Sequence, residues 1–159
     1  MAYTTIDKPT DYFETLLYTG TGSSNTITGL DFAPNWVWIK PRNDARGHSL
    51  IDSVRGVSKW VGSNENLAEL TVAQGVTSFN SNGFTVGTSN DFNKASNTHV
   101  AWNWKAGGSA SSNSDGSITS SVSASTTAGF SIVSYTGTGS NATVGHGLGA
   151  VPKMIFFKD

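Results

Sequence analysis

The chain has 159 residues, enough for one ordinary domain and part of another. Only 13% of them are charged, about half the usual share of roughly 25%. A net charge of −1 offers no basic stripe for nucleic acid and no field toward an anionic membrane.

No run approaches the ~20 apolar residues of a membrane span, which argues against membrane insertion. The start, Met1-Ala-Tyr-Thr-Thr-Ile-Asp7, lacks the basic and apolar regions of a signal peptide, so synthesis in a cytoplasm is expected. Zero Cys removes disulfides, thiolate catalysis and Cys-type zinc sites together.

Residues 1–12 precede the first strand pattern. They carry Tyr3, Ile6 and Tyr12 among polar residues, apolar anchors too few to fold alone. The expectation is an attachment arm ordered by a partner. From there the pattern is almost entirely β, with apolar–polar alternation and frequent turn residues. Strands are expected at Thr15–Tyr18, Thr26–Thr28, Trp36–Lys40, Ser49–Ser53, Trp60–Gly62, Val76–Asn80, Phe84–Gly87 and His99–Lys105. Asn82-Gly83 reads as a tight hairpin turn in which positive φ is accepted, placing Phe79 near Phe84. Only Asn64–Leu70 has helix-forming composition. Residues 108–128 are rich in Ser, Thr and Gly and read as a linker, with a weakly alternating edge strand in Ser117–Ser125.

A long internal match then appears. Phe13 through Ser23 returns as Phe130 through Ser140, sharing Tyr-Thr-Gly-Thr-Gly-Ser. After a one-residue insertion, Gly29-Leu30 maps onto Gly147-Leu148, Pro34 onto Pro152, and Trp36–Lys40 onto Met154–Lys158. The spacing far exceeds the roughly 20–50 residues of a solenoid repeat. The expected organisation is an arm (1–12), a β-sandwich module (13–107), a linker (108–128) and the opening strands of a second, truncated module (129–159). A longer protein is expected on this reading. The alternative is that the second copy supplies strands to the first domain.

The candidate sites divide between chemistry and packing. Trp36 and Trp38 share one face of a strand, as do Trp102 and Trp104. They read as sandwich core, with a sugar-stacking platform as the alternative. Trp60 is isolated and expected to be exposed, a candidate glycan or subunit contact together with Asn82 and Arg55. Asp52 and Arg55 are spaced to pair around a turn. No strand carries the paired acids of a glycosidase, and Glu65 and Glu69 are the only close Glu pair. His48, His99 and His146 are scattered, and Asn113-Ser-Asp115-Gly lacks the later acids of a calcium loop. The Thr-Gly-Thr-Gly-Ser loops lack the Lys and following helix of a phosphate cradle. No catalytic residue, metal ligand or cofactor is expected.

Taken in order, several segments resemble a module of marine bacteriophage fibre-like virion proteins. They are Met1–Pro9, Leu17–Gly22, Pro34–Asn43, Asp52–Gly56, Ser78–Thr85, Val100–Gly108 and Ser117–Gly139. One departure is Asn82-Gly83, where the family more often has Asp-Gly. The resemblance implies a concanavalin-like lectin sandwich of jelly-roll type in a tail-fibre-like virion protein. It also implies homo-oligomers, with a trimer favoured, other capsid or tail subunits as partners, and a host-surface glycan. It transfers no catalytic residue.

The expectation is therefore an all-β, antiparallel β-sandwich that acts without catalysis in a virion. It would dock on the particle by its N-terminal part, with glycan adhesion further along. The alternative is a capsid or tail decoration protein with purely architectural contacts.

Overall fold

A computed structural model describes residues 6–159. After a short 3-10 turn at Pro9–Asp11, the first module holds strands β1 (Phe13–Thr19), β2 (Asn25–Thr28), β3 (Trp36–Pro41) and β4 (Ser49–Asp52). It continues with β5 (Lys59–Trp60), β6 (Leu70–Thr71), β7 (Val76–Asn80), β8 (Gly83–Val86), helical turn α1 (Asn90–Asn93) and β9 (Thr98–Trp104). Strands β10 (Ser111–Asn113), β11 (Ser120–Ser125) and β12 (Phe130–Ser134) follow. Every ladder between strands is antiparallel.

One sheet has the order β1-β9-β3-β4 and a second has β2-β8-β7. Their inner faces share one core, the arrangement of a β-sandwich. It contains Val37, Ile39, Ile51 and Ala101 from the first sheet, and Ile27, Phe84, Val86 and Val76 from the second. Phe92 of α1 closes one side, and Leu16, Tyr18 and Trp60 pack around it. Alternation explains these choices, because residues two apart point to one face.

The expected strands fall where the observed ones lie, within a residue or two at the ends. Three features differ. Asn64–Leu70 forms no helix; the helical turn is at Asn90–Asn93. The stretch read as a linker contains β10 and β11. Moreover, β11 is the middle strand of the sheet β10-β11-β12, where an edge strand was expected. Ser120 and Ser123 are buried there, and their hydroxyls donate to the carbonyls of Gly145 and Gly108. Hydroxyl side chains satisfied in this way fill an interior that apolar periodicity cannot reveal.

The β7–β8 hairpin pairs Phe79 with Phe84 as expected, but its loop residues are Ser81 and Asn82. Gly83 already belongs to β8 and is needed for a different reason. A Cβ there would lie 1.9 Å from the Ile27 carbonyl oxygen. Gly83 thus lets β2 approach β8. Gly83→Ala should therefore destabilise by at least about 1–3 kcal/mol, the usual cost of overpacking. Gly137→Ala, where a Cβ meets nothing within 4 Å, should leave the urea midpoint within error. Equal midpoints for the two variants would refute the close-approach argument.

His99 lies fully buried in β9, its ring stacked on Tyr18 at 4.9 Å, and neither ring nitrogen has a hydrogen-bond partner. Burial pushes its pKa below the usual imidazole value, with Asp44 opposing that shift and Lys40 adding to it. His48 is lowered too, by burial and by Lys40. The unfolded chain then binds protons that the folded chain rejects. Stability is complete above about pH 6.5 and is lost as pH falls through the lowered folded values. Asp44, held at about 2 chiefly by its bond from Lys94, titrates well below this window. Denaturant midpoints from pH 7.5 to 5 should therefore fall, and His99→Leu should flatten the fall. An unchanged slope in that variant would remove His99 from the explanation.

Candidate functional site

Trp36, Trp38, Trp102 and Trp104 do not occupy the sandwich core. In β3, Val37 and Ile39 point inward and are 0% exposed. Trp36 and Trp38 therefore point to the opposite side. In β9, Ala101 and Asn103 point inward, and Trp102 and Trp104 outward. The register sets Trp36 opposite Trp104 and Trp38 opposite Trp102. Four indoles thus form a continuous array on the outer face of the four-stranded sheet.

Their geometry is that of mutual packing. Trp36 stacks on Trp104 at 4.5 Å, and Trp38 meets Trp102 edge-on at 5.9 Å. Phe13 of β1 extends the array to one side at 4.8 Å from Trp104. On the other side Trp38 donates its indole N–H to His48 Nδ1 at 2.8 Å. That bond requires a neutral imidazole acceptor, consistent with the lowered pKa of His48.

Two residues of the second copy cover this face. Phe130 stacks on Trp36 at 5.6 Å and on Trp104 at 6.1 Å. Phe156 lies 6.0 Å from Trp36 and 6.1 Å from Trp38. Trp36, under both, is the buried member at 8% exposure. Trp38, Trp102 and Trp104 remain half-buried. The array is therefore a seat for the 130–159 segment with its far side partly open. The strand pattern showed which Trp residues share a face. Nothing in it showed that Phe130, the repeat counterpart of Phe13, would land on that face.

The other candidate residues lie apart from this face. Trp60, expected to be exposed, packs against the core, and its N–H donates to Ser49 Oγ at 2.9 Å. Its strand is only two residues long, but it is pinned to β4 through the Leu50–Val61 bridge. Arg55 is enclosed by its own loop: Nε donates to Asp52 Oδ2 at 2.6 Å, and Nη2 to the Leu50 carbonyl at 3.2 Å. Its Nη1 reaches Glu69 at 3.2 Å. Asp52 is buried and also accepts the backbone N–H groups of Val54 and Arg55. Asn82 is exposed at the hairpin tip, and its carbonyl accepts from Gly29 and Leu30.

In the N-terminal segment, Tyr3 lies outside the described residues. Ile6 is half-buried. Tyr12 lies under the Lys105 ammonium, 5.6 Å from its ring centre, and accepts the Lys105 backbone N–H. Lys8 forms ion pairs with Asp31 and Asp11. Residues 8–12 are thus tied to the sandwich of their own chain.

The carboxylates face ionic and polar partners. Glu69 takes Arg55 and Lys59, while Glu65 accepts from Asn64. Asp44, Arg46, Asp91 and Lys94 form a linked ion-pair group beside α1 that sequence spacing did not reveal. Among the described residues no group of three His, Asp or Glu is gathered as a metal site, and no helix is long and apolar enough to cross a membrane. The Asn113–Asp115 segment is a local turn, with Asn113 Oδ1 accepting the Asp115 N–H at 2.9 Å.

No curated protein and no solved structure matches the chain. One family model does, over residues 8–159, and its single match runs through both the sandwich and the three-stranded sheet. The chain therefore belongs to that family, DUF7483, described as a domain of unknown function.

Proposed function

We propose that this chain is a non-enzymatic structural protein of a phage virion, part of a fibre or fibre-like appendage built from concanavalin-like jelly-roll sandwiches. The resemblance of its ordered motifs to those of marine phage fibre-like proteins supports the virion setting. The observation that carries the architectural role is the outer aromatic face. This four-indole surface of the sandwich receives Phe130 and Phe156 from the following repeat, so it serves module-to-module packing. Oligomerisation, with a trimer favoured, would multiply weak contacts into firm attachment.

Docking on the particle belongs to the N-terminal segment in this reading. Because Lys8 and Tyr12 hold to their own sandwich, the docking role is assigned to the residues before Lys8. Tyr3 and Ile6 are its apolar anchors. Host-glycan adhesion lies further along the full-length protein. A second reading, glycan binding at this module, draws on one observation. His48 sits beside the half-buried Trp38 and Trp102, placing a polar group next to apolar ring faces that can stack on sugars.

Antibody raised against this chain should gold-label an appendage of purified particles. Label spread evenly over the capsid would favour the decoration alternative, and particles without label would sink the virion proposal. Deleting residues 2–7 should release the protein from particles while its circular dichroism and melting remain those of the intact chain. Normal copy number in that deletion would move docking elsewhere. On a glycan panel, binding lost in Trp102→Ala would support the second reading; no binding by the intact chain would remove it.

A further inference from the structure

The hairpin tip between β7 and β8 carries chemistry that the proposed function leaves unused. Asn82 is the one Asn in the chain followed by Gly. Its side chain is exposed, and among the described residues no hydrogen bond engages its amide. Asn80, two residues earlier, is held differently. There Oδ1 accepts from Ser78 Oγ and Nδ2 donates to Thr85 Oγ1, both at 3.0 Å.

The main chain at Asn82, unlike its side chain, is firmly gripped. β8 approaches β2 so closely that a Cβ on Gly83 would strike the Ile27 carbonyl oxygen. That approach brings the turn after β2 onto the hairpin tip. The backbone N–H groups of Gly29 and Leu30 both donate to the Asn82 carbonyl oxygen, each at 3.1 Å. Leu30 is only 3% exposed, which anchors the donor pair. Two N–H groups converging on one carbonyl oxygen form the geometry of an oxyanion hole.

Such donors favour negative charge on that oxygen, and one reaction places it there. When the Gly83 N–H gives its proton to hydroxide, the charge of the amidate resides largely on the Asn82 carbonyl oxygen. Bonds donated to that oxygen stabilise the anion and make the nitrogen easier to deprotonate. The amidate nitrogen is a nucleophile beside a free carboxamide, and Gly83 has no side chain to obstruct it. Pairing with Asn80 and Thr28 restrains Gly83. The two donors oppose that restraint by stabilising the attacking anion.

We infer that Asn82-Gly83 is a self-modification site, activated by the Gly29 and Leu30 N–H groups, where Asn82 becomes an aspartyl or isoaspartyl residue. Gly83 N forms a bond to Asn82 Cγ. The Cγ–Nδ2 bond breaks, and Nδ2 leaves as ammonia after taking a proton from water, which returns the hydroxide. One water then opens the five-membered imide that remains. Breaking the imide bond to Cγ restores the peptide link and leaves a side-chain carboxylate. Breaking the bond to the main-chain carbon routes the backbone through Cγ instead. Either product adds one negative charge to a chain whose net charge is −1. The inference is independent of the virion reading and survives if particle labelling fails.

The probe is the intact folded chain held at mildly alkaline pH, with residue 82 followed by tandem mass spectrometry. A synthetic peptide of Ser78–Thr85 and the chain unfolded in guanidinium are the references. The folded chain should convert about tenfold faster than either, less than a free oxyanion donor gives because the ladder restrains the attack. Asn82→Gln keeps the carbonyl and its donors but lengthens the side chain. That variant should melt as the intact chain does and lose the ammonia release. Conversion in the folded chain no faster than in the peptide overturns the inference. So does undiminished ammonia release from Asn82→Gln, which would place the source at another amide.

Discussion

Much of the architecture depends on the two faces of β9. This strand lies between β1 and β3, so both of its backbone edges are paired. Its inward residues are small or polar, His99, Ala101 and Asn103, and Ala101 leaves room for Phe84 and Val86 of the opposite sheet. Asn103 meets part of the cost of burial by donating to the Glu14 and Ala101 carbonyls, both at 3.0 Å. Its outward residues are indoles. A central strand whose outer face carries indoles commits the module to having something on its outside, because four adjacent indoles form the kind of large apolar patch that monomers rarely expose. Phe130 and Phe156 meet part of that requirement.

The strands were legible because period-two alternation and turn residues are local signals. Which face turns inward was not. Trp36-Val-Trp-Ile39 is apolar on both sides, and alternation says only that Trp and Val point apart. The choice is made by the second sheet, whose Phe84 leaves room for Val37, Ile39 and Ala101 but not for four indoles. Likewise β11 was hidden by its Ser-rich composition. Its burial rests on hydroxyls bonded to carbonyls far along the chain. Trp60 looked isolated in sequence because the partner that buries it, β4, is set by a bridge rather than by its neighbours. The Asn64–Leu70 segment has helix formers but is too short to nucleate a helix without tertiary help.

The polar chemistry points inward to structure. Asp52 and Arg55 close one loop on itself, and Asn93 holds two others, at Thr21–Ser23 and at Gly87, through a single amide. Acids and bases that converge on one another's atoms leave little field directed at a ligand.

The repeat also separates two causes that usually act together. Tyr18 and Tyr135 sit in the same hexapeptide, yet burial pushes the first hydroxyl's pKa strongly up while the second ring stands partly in solvent. Val37 and Ile155 hold equivalent positions in matching strand patterns, and only the first is enclosed. Sequence shared by the two copies therefore does not by itself enclose a side chain; in the first copy enclosure comes from the second sheet and the α1–β9 stretch packed around it. Because that stretch contacts loop, tyrosine and strand together, its contacts should form together or not at all.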